Sequence, residues 1–382
     1  MKKNLNPKNI FQRFKGLFSI GIADIIGAGI SSLFWIYMAT IMEAESYGEV
    51  FYFFAIGNIA ASFALLGSKN TIMVFVPKNI KLESTIFLFV IIASIIATFI
   101  IFLIFSNYEI SLYILGSVIF GLGISEILAK KLYSQYFVFL ILQKLLMVSL
   151  SIGFYYSFGT SGLIFGIGLS FFVYLFIIIN EFKTTKIDLP LLKPRLGFMT
   201  NSYGQNLVAT FSNQTDKLMI APLLGFTLLG NYQLGLQFIA VFQLLPLIVL
   251  KFTLPHDASG NPNRNLKIIT ILSSILFTFL ILFISPIIIP IFFEKFDYVV
   301  NIIQILSFSL IPMTINTIFA SKFLAAEKSK FVSIGMIILL STNIIGILIL
   351  GNIFGIIGVA ISYVLATISQ TIFYFTMSLK KT

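Results

Sequence analysis

The chain is written in long apolar runs separated by short polar punctuation. Runs of about 20 residues, enough to cross a hydrocarbon core as a helix, fall at Leu17–Ile41, Val50–Val76, Thr85–Phe105, Ser111–Ala129, Tyr136–Ser157 and Ser161–Asn180. Six more follow at Thr200–Ala221, Phe226–Leu250, Ile268–Phe292, Tyr298–Ala320, Phe331–Leu350 and Phe354–Met377. The runs are continuous rather than alternating, which predicts α-helices and excludes the period-two pattern of a membrane β-barrel. The expected fold is an all-α integral membrane protein of about twelve transmembrane helices.

The seventh run differs from the rest. Within NSYGQNLVATFSNQTDKLMIAP, residues 201–222, it carries Asn206, Thr210, Asn213 and Lys217 at spacings of four, three and four. At about 100° per helical residue these side chains fall within roughly 60° of one another, a polar stripe on a membrane helix. Asp216, about 100° round the helix from Lys217, is expected to stand off the stripe. An aligned polar row needs a matching polar neighbour or water. Asn58, Gln143, Gln237, Gln243, Asn316 and Asn343 are candidates to line that water, or to make single interhelical hydrogen bonds.

The longest stretch outside the runs is EFKTTKIDLPLLKPRLG, Glu181–Gly197, whose two prolines and four basic residues suit a linker on the membrane surface. It divides the chain into an N-terminal six-helix bundle, 1–182, a linker, 183–197, and a C-terminal six-helix bundle, 198–382. Internal repetition supports the division. An offset of 182 carries Tyr47-Gly48 onto Leu229-Gly230, and Asp24, Ser31 and Trp35 onto Asn206, Asn213 and Lys217. An offset of 196 carries Leu128-Ala129 onto Leu324-Ala325, and Gly159 and Gly162 onto Gly355 and Gly358. An even number of spans per half makes the halves parallel, related by an axis along the membrane normal. The two stripes are therefore expected to face each other across a central cavity.

Composition and charge narrow the class. With 58% hydrophobic and 10% charged residues, nothing is left over for a sizeable soluble domain. The net charge of +11 would admit a nucleic-acid partner, but the basic residues lie between apolar runs rather than in one patch. Topology accounts for them. With a cytoplasmic N-terminus, 22 of the 25 Lys and Arg fall on one side, leaving Lys295 outside and Lys144 and Lys217 inside spans. Both termini are expected in the cytoplasm. The basic opening, MKKNLNPKNIFQRFK, is not followed by a short apolar region and cleavage site, so the first span is expected to be retained. The absence of cysteine excludes disulfides, iron–sulfur clusters and thiolate zinc sites.

Glu45-Ser46-Tyr47-Gly48 after the first span, and Asp216-Lys217-Leu218-Met219-Ile220 running into Leu224-Gly225 and Leu229-Gly230-Asn231-Tyr232, resemble the polysaccharide-biosynthesis membrane proteins. These are the oligosaccharide-lipid flippases of the multidrug/oligosaccharidyl-lipid/polysaccharide exporter superfamily. The resemblance covers nearly the whole chain in span count, orientation and the pairing of spans one and seven. It implies a MATE-like fold of two six-helix bundles related by pseudo-two-fold symmetry, around a cavity that opens alternately to each side. It also implies a substrate made of a polyprenyl phosphate or pyrophosphate carrying a sugar chain, in the cell membrane. The chain departs from the family in being short, in its abbreviated Leu254–Asn265 loop and in having no arginine inside its spans.

A charge at the bilayer centre costs about 2.5–3.5 kcal/mol on insertion scales, so each one is a candidate for function. Lys144 is some eight residues into span five, about 12 Å deep and near the limit of snorkelling. Asp24 lies at similar depth, where it can pair with Lys144 or bind a coupling proton or sodium ion. The resemblance implies the coupling role, since exporters of the superfamily often place an acid in span one. Lys217, near the outer end of span seven, either snorkels or meets a phosphate as a point charge. Glu126 stands one turn before Lys130, the spacing of an ion pair. Pro246, Pro286, Pro290 and Pro312 predict that flexing concentrates in the second half. His256 beside Asp257 reads as a solvated loop, neither a metal site nor a triad. No cofactor or metal is expected.

The expected activity is transport rather than enzymatic chemistry: translocation of a polyprenyl-(pyro)phosphate-linked oligosaccharide by alternating access, for surface polysaccharide or glycan assembly. Lys217, Asn213, Asn206, Thr210 and Lys144 are the expected substrate contacts, with Asp24 for a coupling H+ or Na+. Membrane lipids are the other expected partner. One alternative is a cation-coupled multidrug exporter of the same superfamily. Another is an integral membrane glycosyltransferase, against which stands the lack of paired carboxylates or a His in substantial loops.

Overall fold

The computed structural model describes residues 7–258, 263–326 and 328–379. Among them there is no β-strand. The helices are α1 Pro7–Ile41, α2 Ala44–Ala64, α3 Ser68–Phe75, α4 Glu83–Phe105, α5 Tyr108–Ala129, α6 Tyr133–Ser170, α7 Leu175–Thr184 and α8 Leu189–Leu192. They continue as α9 Leu196–Leu224, α10 Phe226–Ala258, α11 Arg264–Phe292, α12 Val299–Ser307, α13 Leu310–Ala325, α14 Ser329–Gly346 and α15 Asn352–Leu379.

Seven helical stretches among the described residues are long and apolar enough to cross a membrane, or nine if each of two bent pairs counts as one span. Two of the seven, Tyr133–Thr184 and Ser329–Leu379, run to 52 and 51 residues, far beyond one crossing. Each folds back on itself at a glycine. Gly159 has φ 65° and ψ −144°, Gly355 φ 59° and ψ −139°. This is a region that only glycine adopts without strain. Beyond each turn small residues let the arms close: a Cβ on Gly162 would meet the Phe154 carbonyl oxygen at 2.2 Å, and one on Gly358 that of Leu350 at 1.9 Å. These second passes, together with the 29-residue α9, which is too polar to count among the apolar stretches, bring the total to the twelve crossings expected. The chain is a multi-pass membrane protein.

Its polarity is arranged for lipid. Phe99, Leu103, Phe283 and Ile287 are all more than half exposed, while Thr314, Asn316, Thr367 and Gln370 are buried. Hydrocarbon offers no hydrogen bonds, so polar side chains turn inward to find partners.

Two crossings expected as single runs are broken. Val50–Val76 resolves into α2 and α3, bent by 48°, because Leu66 and Gly67 adopt left-handed backbone with φ 50° and 74°. Gly67 is also where the chain passes closely under α9: a Cβ there would sit 2.3 Å from the Met199 carbonyl oxygen. Tyr298–Ala320 resolves into α12 and α13, bent by 42°. The larger bend is proline-free, Pro286 and Pro290 stay inside α11, and Pro312 lies in the first turn of α13, where its missing N–H costs nothing. His256 falls within α10 rather than in a loop, and its side chain lies outside the described residues.

The described helices pack as two compact units. One holds the chain up to Ser31 together with Gly57–Leu207; the other holds Ser32–Ile56 and everything from Val208 onward. Thus α1, α2 and α9 each contribute to both units. The linker-based division follows the sequence repeat and the compact units follow packing, so the two partitions differ at these three helices.

Candidate functional site

In the first unit, α1 runs along α6. Tyr136, Leu140 and Lys144 stand four residues apart on α6, one above the other on one face. Gly27 admits them: a Cβ there would lie 3.5 Å from Leu140 Cδ2 and 3.7 Å from Lys144 Cγ. One turn below Gly27, Asp24 accepts a hydrogen bond of 2.5 Å from the Tyr136 hydroxyl. Ala23, Ile127, Tyr136, Leu140 and Tyr174 form a buried cluster around this contact. Equal depth in the membrane suggested Lys144 as partner for Asp24, but the structure gives Asp24 the tyrosine. Lys144 is two turns further along α6, about 12 Å at 1.5 Å per residue, and makes no hydrogen bond or ion pair among the described residues.

On α9, Lys217 Nζ donates 2.7 Å to the Asn213 carbonyl oxygen and lies 3.1 Å from Asp216 Oδ1. Asp216 also accepts from the Lys217 backbone N–H at 2.9 Å. The expectation that Asp216 stands apart from the stripe is thus corrected: Cβ positions differ by about 100°, but the lysine's four-carbon stem reaches across that angle. Asn213 is exposed, and Asn206 and Thr210 are half-buried. Three of the amides offered as lining for water are instead committed to protein partners, two on another helix and one on the returning arm of α6. Asn58 accepts from the Tyr113 hydroxyl at 2.8 Å. Gln143 donates to Ser170 Oγ at 3.0 Å. Asn316 donates to Gln370 Oε1 at 2.9 Å and accepts from Thr371 at 2.8 Å.

The structure adds a cation that the sequence reading placed with the surface charges. Lys69, on α3, lies across Gly121 of α5, where a Cβ would come 2.6 Å from Lys69 Cε and 3.3 Å from its Nζ. Gly121 is eight residues from the end of α5, about 12 Å, so Lys69 sits at membrane depth. Like Lys144, it makes no hydrogen bond or ion pair among the described residues. Its position inside the Val50–Val76 run was the available signal. The expected Glu126–Lys130 pair is present at 2.9 Å, and Lys130 Nζ also reaches Glu181 Oε1 at 2.5 Å.

A scan against protein-family models finds no match, and neither does a comparison with curated proteins. Solved structures do match. The lipid II flippase MurJ in an inward closed conformation aligns with a TM-score of 0.76 at 16% identity, over 94% of this chain and 87% of that one. The fold is that of MurJ and the MATE transporters. An inward-facing multidrug resistance MATE transporter of the MOP superfamily gives 0.71 at 13% identity, over 95% and 96% of the two chains. An outward-facing MATE transporter gives 0.61 at 15%, over 96% and 97%. The all-helical, MATE-like architecture expected from the sequence is met across almost the whole length. At these identities the likeness concerns the fold, and the side chains of the candidate site are this chain's own.

Proposed function

We propose that the chain is a flippase that translocates a polyprenyl-(pyro)phosphate-linked oligosaccharide by alternating access, in the service of surface polysaccharide or glycan assembly. The observation that carries this reading is the pair of membrane-depth lysines, Lys69 and Lys144, neither with an anionic partner among the described residues. An uncompensated ammonium in hydrocarbon costs about 2.5–3.5 kcal/mol, and a phosphate or pyrophosphate headgroup would offset that cost as a charge-assisted partner. Lys217 is a conditional member of the set, because Asp216 already answers its charge and a phosphate would have to take that place. Asn206, Thr210 and Asn213 supply amide and hydroxyl groups of the kind that hydrogen-bond sugars. Asp24, held by Tyr136, is proposed to bind the coupling H+ or Na+. The repeat-related bundles 1–182 and 198–382 are the proposed moving parts, joined by the linker 183–197. The distribution of Lys and Arg supports cytoplasmic termini in the plasma or inner membrane.

The likeness to MurJ and the lack of a surplus of acidic groups at membrane depth favour a phosphorylated lipid over an organic cation. The second reading, a cation-coupled multidrug exporter, draws on Asp24 in α1 and on the likeness to MATE transporters. Proteoliposomes decide between them. Translocation of a labelled polyprenyl-pyrophosphoryl sugar is expected, and it should fall at least tenfold in Lys144→Ala and in Lys69→Ala. No translocation by the wild type, together with pH-driven efflux of organic cations, would establish the exporter instead.

A further inference from the structure

At the end of the first unit where α4 begins and α5 and α7 finish, three glutamates from three helices converge. Glu83 opens α4, Glu126 is in the last turn of α5, and Glu181 is in the last turn of α7. Each offers a carboxylate oxygen, and these oxygens all lie within 4.8 Å of one another. All three residues are buried, at 4%, 1% and 3% exposure. The helix ends are tied independently of the acids, since Ser84 Oγ donates to the Glu181 carbonyl oxygen at 3.1 Å and meets Thr185 Oγ1 at 2.5 Å. The carboxylates are therefore not needed to hold α4 to α7.

Among the described residues one ammonium, that of Lys130, contacts two of the three acids, bridging Glu181 at 2.5 Å and Glu126 at 2.9 Å. Its contact with Glu126 is an ion pair without hydrogen-bond alignment, so both Glu126 oxygens, along with Glu83 Oε2, are buried with no hydrogen-bond donor. Carboxylate oxygens left without a donor at under 5% exposure are unfavourable unless a proton or a positive charge compensates them. With all three carboxyls ionised, one lysine leaves two negative charges over. Lys81 and Lys131 line the adjoining cavity but are themselves exposed, where water screens them. That cavity, of about 460 Å³, is also lined by Glu83, Lys130, Glu181, Thr184 and Thr185, so it connects two of the three acids, Glu83 and Glu181, with space for water.

We propose that Glu83, Glu126 and Glu181 form a binding site for one hard divalent cation, with Lys130 as the displaceable counter-ion that holds the site in the metal-free protein. The donor set is oxygen only, the preference of Ca2+, Mg2+ and Mn2+. Oxygens no more than 4.8 Å apart fit around one ion, being within twice the calcium–oxygen distance of about 2.3–2.6 Å. Water from the cavity completes the shell, and two charges on the ion meet the two left unbalanced. The Lys130 side chain is one-third exposed and swings outward when the ion enters. The bound ion would clamp the ends of α4, α5 and α7. The proposal does not depend on which substrate the protein carries.

The test is a titration of the purified full-length protein in nanodiscs with Mn2+, read by electron paramagnetic resonance, with Ca2+ and Mg2+ as competitors. One saturable site per chain is expected, weakened at least tenfold in Glu83→Gln, Glu126→Gln and Glu181→Gln. Lys130→Met removes the competing ammonium and should tighten Mn2+ binding at least tenfold. A purely structural ion network predicts the reverse for that variant: no binding and a less stable protein. Absence of a saturable site in both the wild type and Lys130→Met would overturn the proposal, as would binding that the three glutamine substitutions leave unchanged.

Discussion

Gly48 and Gly230 join α2 to α10 by a reciprocal contact. A Cβ on Gly48 would stand 1.9 Å from the Phe226 carbonyl oxygen, and a Cβ on Gly230 would stand 1.9 Å from that of Ala44. Ala44 and Phe226 are the first residues of the two helices, and the offset of 182 that relates the glycines relates them too. The contact is a local two-fold axis made of backbone, and each glycine is required because the partner's main chain occupies the space of its side chain. Gly48→Ala and Gly230→Ala should therefore destabilise the protein by similar amounts, about 1–3 kcal/mol or more each. Thermal melts in detergent check this, and a silent substitution at either position would contradict it.

Gly159 and Gly355 make the second repeat-related pair, and here the reason is conformational. Nothing lies within 4 Å of a Cβ built on either residue, so alanine meets no obstacle in space. It is instead forced to φ near +60° with ψ near −140°, at a cost of about 1–3 kcal/mol. Gly159→Ala and Gly355→Ala are expected to lower the melting temperature by comparable amounts, with the helical circular-dichroism signal retained below the transition.

Lys144 offers a separation of stability from activity. If its ammonium waits for a phosphate, removing it relieves an uncompensated charge in the empty protein. Lys144→Met is then expected to melt at the same temperature as the wild type or higher, while translocation falls at least tenfold. A large loss of stability would place Lys144 among the structural lysines.

Asp24 and Tyr136 can be distinguished by the driving force. Asp24→Asn keeps an acceptor for the Tyr136 hydroxyl but cannot exchange a proton, so uptake into vesicles should lose its response to a pH or sodium gradient. Tyr136→Phe removes one hydrogen bond to the carboxylate and should retain the response at a reduced rate. Equal gradient dependence in Asp24→Asn and the wild type would remove Asp24 from the coupling role.

The α13–α15 network tests how much polar packing contributes inside the membrane. Asn316 donates to Gln370 and to the Thr367 carbonyl oxygen and accepts from Thr371, while Gln370 donates to Tyr374 at 3.2 Å. Interhelical hydrogen bonds in membranes average only about 0.6 kcal/mol. Asn316→Leu is expected to cost no more than about 2 kcal/mol by denaturant titration.

Much of this molecule is legible along the chain because lipid imposes one rule on every segment. A helix that crosses hydrocarbon must be long, apolar and internally hydrogen-bonded. That rule alone yields the all-helical class, the places of the crossings and the outlying character of α9. The repeat was legible too: the glycine pairs at offsets of 182 and 196 stand where a close backbone approach or a positive φ favours glycine in both halves. The Glu126–Lys130 pair followed from helical spacing.

What the tertiary structure decided is which distant groups share a volume. Helical periodicity places a side chain on a face but does not say which face of which helix lies opposite. So Asp24 met Tyr136, 112 residues away, rather than Lys144, and Lys69 lay against Gly121. The bend at Leu66–Gly67 depends on left-handed backbone that no apolar pattern encodes. Glu83, Glu126 and Glu181 stand far apart in sequence; only the packing of α4, α5 and α7 brings their oxygens within 4.8 Å. The solvent dictates the elements from the sequence alone, whereas charge balance is a property of neighbours, and neighbours exist only once the chain has folded.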